Sequence, residues 1–415
     1  MYTDSVRYLE EVEEVAYRNG GVEINRMRAA VRGFRACNRG CWAIVSCQDG
    51  ECREGRERVE ELARRVRSPA CRGLSDAELF RGEARLGVMP RNMPEVVEVA
   101  SGVCEELGGM GAERCELVAV AKRVRREIEF DEGGEAVEEK VVVDLLGSVI
   151  VRRGARLGFG AYRTAFIPMA PTVPSRVVEI VLKRAFDKGL RSTMARPLNP
   201  LASGRATLVL SPEAAAALFH EVSHALEGTH ALLPVGSRVA PQELYLADEP
   251  RNPSSPTMRA FDDEGVSTKR RVLIEDGVVV DHHHTRASAF GTSSVPGSAY
   301  GLFRAPTPFH TTLVVGGGDW GDTEILEETP RGFYIEGAAL ATLERGYVRI
   351  VPEVAYYIEK REAKRVVALR SVKIPLSKLS TINAIGRRRE LRISDEKDYM
   401  VAELAPHIRI EGYVE

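Results

Sequence analysis

The sequence lacks a long hydrophobic run, an excess of charge of one sign and any cysteine beyond Cys115. Because a membrane-spanning helix needs about 18–20 consecutive apolar residues, we expect no membrane partner, and the charged segment 1–19 is unlike a signal peptide. A formal net charge of -2 provides no basic field that would attract nucleic acid. These absences predict a cytoplasmic protein without a nucleic-acid partner.

The cysteines are confined to one part of the chain. All seven fall between Cys37 and Cys115, and their spacings form no zinc-ribbon pattern. We therefore interpret most of them as small buried residues. Disulfide bonds remain open as an alternative, because intracellular proteins of hyperthermophiles can contain them.

Hydrophobic periodicity predicts an α+β protein of two or three domains. The expected elements are a first helix over 4–17, a hairpin of 22–36 and 42–47, and helices near 57–66, 94–107 and 177–188. From residue 207 onward, closely spaced strands predict an antiparallel sheet. A stretch rich in proline and glycine, 68–94, suggests a domain junction. We place the domains at 1–93, 94–203 and 204–415.

The segment 208–228 predicts a strand followed by a well-defined helix. The strand ends at Leu210, and Ser211 can accept a hydrogen bond from the first turn of the helix. Pro212 suits that first turn, and Gly228 suits the exit.

This helix carries the HExxH pattern. His220 and His224 lie one turn apart on one face, so two imidazoles can bind one metal ion, while Glu221 lies about 100° around the axis. Zn²⁺ with imidazole ligands lowers the pKa of a bound water towards about 7, and Glu221 can take the proton of that water as general base. The alternative is a pair of buried histidines with a structural role.

A peptidase zinc site needs a third protein ligand, and the sequence offers several candidates. His230 follows His224 at the spacing of the metzincin pattern, although the glycine of that pattern is displaced by one position. Glu227 could instead orient one of the imidazoles. The histidines of 282–284 alternate between strand faces, so we expect surface or hydrogen-bonding roles for them. The isolated His310 and His407 are expected to be structural.

Several segments, taken in order, resemble the TldD/PmbA family. They are LFHEVSHALEG (218–228), FDDEG (261–265), LIEDG (273–277), GFYI (332–335) and the segment 26–46 with its GCWA element. The resemblance implies an N-terminal α/β region followed by a C-terminal domain with a large curved antiparallel sheet. It also implies a zinc-dependent peptidase that acts on unfolded or short peptides. The resemblance further implies a dimer, either a homodimer or a heterodimer with a PmbA-type homologue. In the family the TldD-type subunit carries the metal, and by its HE motif this chain resembles that active type.

The chain departs from the family pattern in two places. The family motif places three residues between the glutamate and the second histidine, whereas here only Val222 and Ser223 intervene. The third ligand of the family is a cysteine in the region that matches 395–403, and this chain has none there. Either another group replaces that cysteine or metal affinity is reduced. A non-catalytic peptide-binding subunit is therefore the alternative function.

Overall fold

A computed structural model of the protein describes residues 1–48, 52, 54–68, 71–199 and 203–415. Seven strands form the first sheet: β1 (Tyr2–Arg18), β2 (Gly21–Asn38), β3 (Cys41–Gln48), β4 (Gly82–Leu86), β5 (Ala112–Phe130), β6 (Glu135–Arg153) and β7 (Arg156–Phe166). Their order is β3-β2-β1-β5-β6-β4, and β7 pairs with the other part of β6. Strands from both sides of residue 93 thus share one sheet, and the division into 1–93, 94–203 and 204–415 stays a prediction.

The helix predicted over 4–17 is wrong, because this segment forms strand β1. β1 pairs with β2 on one side and with β5 on the other. Its glutamates contact cations of both neighbours, as Glu10 does with Lys122 at 2.6 Å and Glu13 with Arg26 at 2.8 Å. Opposite charges on adjacent strands stabilise a sheet. These tertiary contacts override the local helical spacing.

The hairpin and the three other helices predicted for this half are confirmed. β2 and β3 form the expected antiparallel hairpin. The helices are α1 (Gly55–Arg65), α2 (Met93–Gly109) and α3 (Ser175–Ser192). α3 packs very closely on β7, where a Cβ on Gly158 or Gly160 would lie 2.1 Å from a backbone oxygen of α3. Two glycines in that strand therefore set the distance between sheet and helix.

The C-terminal half contains many short strands. They are β8 (Arg196–Pro197), β9 (Gly204–Leu210), β10 (Leu246–Asp248), β11 (Arg271–Glu275), β12 (Val278–Val279), β13 (Ala299–Tyr300), β14 (Thr307–Pro308), β15 (Thr312–Val315), β16 (Arg331–Glu336), β17 (Leu340–Glu344), β18 (Tyr347–Val351), β19 (Val354–Glu359), β20 (Glu362–Ala368), β21 (Val372–Pro375), β22 (Ala384–Ile385), β23 (Glu390–Glu396), β24 (Tyr399–Ala405) and β25 (Ile408–Val414).

Two sheets dominate this half. One has ten strands in the order β17-β18-β21-β25-β9-β16-β19-β20-β8, with β22 beside β25. The other has the order β12-β11-β10-β15-β24-β23, and β13 and β14 form a separate pair. Most pairs are antiparallel, although β9–β16, β15–β24 and β8–β20 are parallel. The predicted α+β class with a large antiparallel C-terminal sheet is confirmed.

A buried helix joins the two sheets. The helices of this half are α4 (Pro212–His224), α5 (Arg286–Ala289), α6 (Asp322–Glu327) and a 3₁₀ helix (Leu376–Thr381). α4 contacts β15, β23 and β24 of one sheet and β17 and β18 of the other. Within the described residues, no helix combines the length and apolar character that crossing a bilayer requires.

A buried ionic network connects the first sheet to the C-terminal half through the FDDEG segment. Arg126 of β5 donates to Asp263 at 2.7 Å, and Arg35 of β2 donates to the Asp263 backbone oxygen at 2.5 Å. Tyr399 of β24 donates to the same carboxylate at 2.5 Å. Because buried charges are costly unless they are paired, these contacts fix the position of β24 relative to the first sheet.

Six of the seven cysteines form disulfides, which corrects the prediction that most are only small buried residues. The pairs are Cys41–Cys71, Cys47–Cys52 and Cys104–Cys115, whereas Cys37 is free and buried. Their Cα separations of 5.2–5.8 Å lie in the range that a disulfide requires. Sequence spacing alone does not reveal which residues the fold brings together.

The buried carboxyl of Asp248 predicts a pH-dependent stability. Its oxygen accepts from the amides of Thr311 and Thr312 at 3.0 and 2.9 Å, and burial raises its pKa from 3.8 to about 7. The folded state therefore holds the proton more tightly than the unfolded state. The resulting stability is complete below pH 3.8 and is lost as pH rises through 7. Asp248→Asn keeps an acceptor oxygen without the charge. The free energy of unfolding of this variant, relative to that of the parent, should therefore rise by about 1–3 kcal/mol between pH 4 and 8.

Melting temperatures of the parent and Asp248→Asn across this pH range measure the effect. The exposed Asp187 provides a matched control, Asp187→Asn, for which the difference from the parent should stay nearly constant. A melting temperature of Asp248→Asn that falls relative to that of the parent as pH rises contradicts the expectation.

Candidate metal centre

Helix α4 carries the histidine pair into the interior. Ser211 caps the helix, since its Oγ accepts from the Ala214 amide at 3.2 Å, and Pro212 lies in the first turn as predicted. His220 and Glu221 are only 6% and 8% exposed. The helix is therefore held rigidly by its packing, which suits a site that must hold its ligands in fixed geometry.

The two histidines are oriented alike, each by a carboxylate behind it. His220 Nδ1 lies 2.7 Å from Glu403 Oε1, and His224 Nδ1 lies 2.7 Å from Glu227 Oε1. A carboxylate accepts hydrogen bonds, so each Nδ1 carries the hydrogen and each Nε2 is directed away from its carboxylate. The suggested role of Glu227 as an orienting group agrees with this contact. Carboxylate–histidine pairs of this kind are typical of metal sites.

A third potential ligand comes from β23. Glu396 Oε2 lies 3.9 Å from His220 Nε2 and 3.9 Å from His224 Nε2. Tetrahedral zinc with bonds of about 2.0–2.2 Å separates its ligand atoms by roughly 3.3–3.6 Å, so shifts of a few tenths of an ångström would close the site. Two imidazoles and one carboxylate also match the ligand chemistry of catalytic zinc. These residues fit a zinc ion.

The same hairpin supplies the counter-charges. Lys397 donates to Glu227 Oε1 at 2.8 Å, and Arg392 donates to Glu403 Oε2 at 3.0 Å. Each orienting carboxylate is thus paired with a cation from the β23–β24 hairpin, which also carries Glu396. A change in the position of this hairpin would therefore disturb both histidines and the third ligand together.

The electrostatics of the cluster favour a cation between its ligand atoms. Burial opposes a charged imidazole, but Glu403 and Glu396 outweigh it and raise the pKa of His220 to about 9. Burial also opposes the Glu403 carboxylate, yet Arg392 and His220 hold its pKa well below its usual range. The contact with His220 lowers the pKa of Glu396. A bound metal ion would take the place of a proton that the site already attracts.

Glu221 faces a different neighbour from the histidines. Its Oε2 accepts from the Leu343 amide of β17 at 2.7 Å. β17 is one of the two edge strands in the described order of the ten-stranded sheet. Within the described residues, Glu221 is not part of a cluster that could hold a metal. One oxygen of Glu221, which follows His220 on the helix, is therefore fixed by the edge strand β17.

The structure does not bring His230 to the histidine pair. α4 ends at His224, and the chain then turns so that the side chain of His230 is exposed. Its amide donates to the Glu227 backbone oxygen at 2.9 Å. Neither potential ligand cluster of the described residues includes it. The metzincin spacing is present in the sequence, but the turn after the helix leads this residue away.

The remaining histidines have hydrogen-bonding roles, as expected for the 282–284 run. His282 contacts the Leu233 oxygen at 2.8 Å, His283 contacts Ser223, and His284 contacts Ser288. His407 Nδ1 likewise lies 3.2 Å from Asp322 Oδ1, and His407 is in neither potential ligand cluster of the described residues.

His310 is closer to the site than the sequence suggested. Its Nε2 lies 3.3 Å from Glu403 Oε1, and together with His220 these groups form a second, fully buried potential ligand cluster. Sequence analysis found neither this contact nor the positions of Glu396 and Glu403. The one available signal was the resemblance, because it located the third ligand in 395–403, where both carboxylates lie.

The C-terminal half of the chain matches a known protein family. Residues 203–414 match the family model of the PmbA/TldA metallopeptidase C-terminal domain. The chain belongs to the TldD/PmbA family. This match covers α4, β23 and β24, the three elements that carry the cluster.

Relatives of this TldD/PmbA chain are named metalloproteases. One from Archaeoglobus fulgidus is 24% identical over 407 residues, which cover 93% of this chain and 91% of that protein. Another, from Methanocaldococcus jannaschii, is 26% identical over 230 residues, or 52% of this chain. That second match spans 50% of the relative's length.

Solved structures share the fold of this TldD/PmbA chain. TldE from Thermococcus kodakarensis has a TM-score of 0.79 and 18% identity, and the match covers 100% of this chain and 96% of that one. A putative modulator of DNA gyrase from Bacteroides thetaiotaomicron has a TM-score of 0.80 and 16% identity, with 100% and 94% coverage. At these identities the likeness shows the fold alone.

Proposed function

We propose that this protein is a zinc-dependent peptidase in which His220, His224 and Glu396 hold the metal and Glu221 is the general base. The observation that carries the proposal is the convergence of two Nε2 atoms on one carboxylate oxygen, each at 3.9 Å. The two orienting carboxylates behind the imidazoles add support, because metal-ligating histidines almost always donate their other ring N–H to such a partner. Three protein ligands also leave a position open for water, as catalytic zinc requires.

In the proposed hydrolysis the metal and the protein side chains have separate roles. When bound, zinc would supply an activated water and polarise a scissile carbonyl. Glu221 would take a proton from the attacking water and pass it to the leaving amine. The Leu343 amide holds Glu221 Oε2, which leaves Oε1 of the same carboxylate for this exchange. Glu403 and Glu227 would keep the two imidazoles in their binding orientation.

The substrate class rests on the family. Relatives are named metalloproteases, so we propose peptide bonds as the target and unfolded or short peptides as substrates. Association with a second copy or with a PmbA-type homologue, and a cytoplasmic location, remain predictions.

Hydrolysis of an unfolded polypeptide and of a short fluorogenic peptide tests this proposal. The protein should contain about one zinc per chain, lose cleavage after removal of the metal by a chelator, and regain it with stoichiometric Zn²⁺. Cleavage that persists in metal-depleted protein contradicts the zinc mechanism. Protein that binds no zinc, cleaves nothing alone and forms a stoichiometric complex with an active homologue would instead be a binding subunit.

A further inference from the structure

A chain of hydrogen bonds extends from His220 into the interior. Glu403 Oε1 contacts both His220 Nδ1 and His310 Nε2, at 2.7 and 3.3 Å. On its other side, His310 Nδ1 lies 2.8 Å from Ser223 Oγ, which in turn lies 3.0 Å from His283 Nε2. These five residues, His283, Ser223, His310, Glu403 and His220, are called the buried chain below.

The Glu403 carboxylate determines which atom donates and which accepts in every hydrogen bond of the buried chain. Glu403 is ionised beside Arg392 and only accepts, so His310 must carry its hydrogen on Nε2. A neutral His310 then accepts at Nδ1 from the Ser223 hydroxyl. The Ser223 oxygen is left to accept from His283, which therefore carries its hydrogen on Nε2.

Two further observations agree with this direction. His283 Nδ1 is buried and has no hydrogen-bond partner among the described residues, as expected for the unprotonated nitrogen at the end of the buried chain. The reverse direction would place a nitrogen lone pair of His310 against the Glu403 carboxylate, which is repulsive.

The arrangement Ser223, His310 and Glu403 has the order of a nucleophilic triad, but burial excludes that role. All three residues are 0% exposed, so no substrate could reach the Ser223 hydroxyl. Its position on α4, between Glu221 and His224, instead places the hydroxyl at the rear of the candidate metal centre. The buried chain therefore contacts the candidate metal centre through Glu403, which bonds to Nδ1 of His220 and leaves Nε2 on the other side of the ring.

We propose that Ser223 and His310 are positioning residues that hold the Glu403 carboxylate in place and so keep His220 protonated at Nδ1, with Nε2 free for a metal. The inference rests on the proposed function only in that His220 is a metal ligand. His310 donates to the oxygen that His220 uses, and its ring packs perpendicular to that of His220 at a centroid distance of 5.2 Å. Ser223 donates to His310 Nδ1 and so holds the ring in the orientation that directs Nε2 at Glu403.

The tautomers can be read directly by ¹⁵N NMR of histidine-labelled, metal-free protein. The parent should show both His310 and His283 protonated at Nε2. In Ser223→Ala, which removes the hydroxyl, His283 loses its acceptor and should populate both tautomers, whereas Glu403 still selects the Nε2 tautomer of His310. Ser371→Ala is the matched control, because Ser371 is also fully buried and bonds to Glu415 outside the buried chain. His283 in that control should stay protonated at Nε2.

Zinc affinity gives the second measurement. Ser223→Ala should bind zinc about 10–100-fold more weakly than the parent, whereas Ser371→Ala should match the parent. Parent protein with His310 or His283 protonated at Nδ1, or Ser223→Ala with unchanged tautomers and affinity, overturns the inference. A parent that binds no zinc would refute the proposed function, and the tautomers would still decide the inference.

Discussion

Glu221→Gln should retain zinc with the affinity of the parent and hydrolyse peptides roughly 10²–10⁴-fold more slowly. Glutamine keeps an oxygen that can accept from the Leu343 amide, so the contact to β17 survives. An amide cannot take a proton from water at neutral pH, so the general-base step is lost. Steady-state turnover and zinc content, measured on the same preparation, separate these two effects.

Glu213→Gln provides the matched control for this change. Glu213 lies in the first turn of the same helix and pairs with Lys188 at 2.8 Å, at the opposite end of α4 from the histidines. Its variant should cleave at the rate of the parent. If Glu221→Gln cleaves as fast as the parent, the assignment of the general base is wrong.

Glu396→Ala should lower zinc affinity by about 10²–10³-fold. If the roughly 10–16 kcal/mol with which a structural site binds zinc is shared equally among its four ligands, one ligand contributes about 2.5–4 kcal/mol, and each 1.4 kcal/mol is tenfold. Competition with a chromophoric chelator measures the Kd. The matched control is Asp395→Ala, since Asp395 precedes Glu396 on β23 and pairs with Arg163 at 2.5 Å instead.

His230→Ala decides between the two candidate third ligands. It should bind zinc as tightly as the parent, because the His230 side chain is exposed and outside the cluster. Loss of zinc in His230→Ala together with full binding in Glu396→Ala would restore the metzincin-like set and contradict our assignment.

The part of the site on α4 could be predicted because all of its signals are local. A serine cap, a first-turn proline and two histidines one turn apart lie within one segment, and helical geometry alone places the imidazoles together. The C-terminal strands were predicted for the same reason, since each shows its own periodicity and turn residues.

The remaining parts depend on contacts between distant segments. Glu396 joins the histidines only because the β23–β24 hairpin packs against α4, and no spacing in the sequence encodes that approach. The apolar residues of segment 4–17 have helical spacing, which predicts a helix. The segment instead forms strand β1, because its glutamates pair with cations on β2 and β5. Pairing partners, like disulfide partners, are set by the tertiary fold and are not visible in a single segment.

Zinc K-edge anomalous diffraction from crystals of the zinc-loaded protein tests the central claim most directly. We expect one strong peak per chain, about 2.0–2.2 Å from His220 Nε2, His224 Nε2 and a carboxylate oxygen of Glu396. The absence of a peak between these three side chains, or a peak bound elsewhere with both imidazoles packed as they are now, would contradict the account.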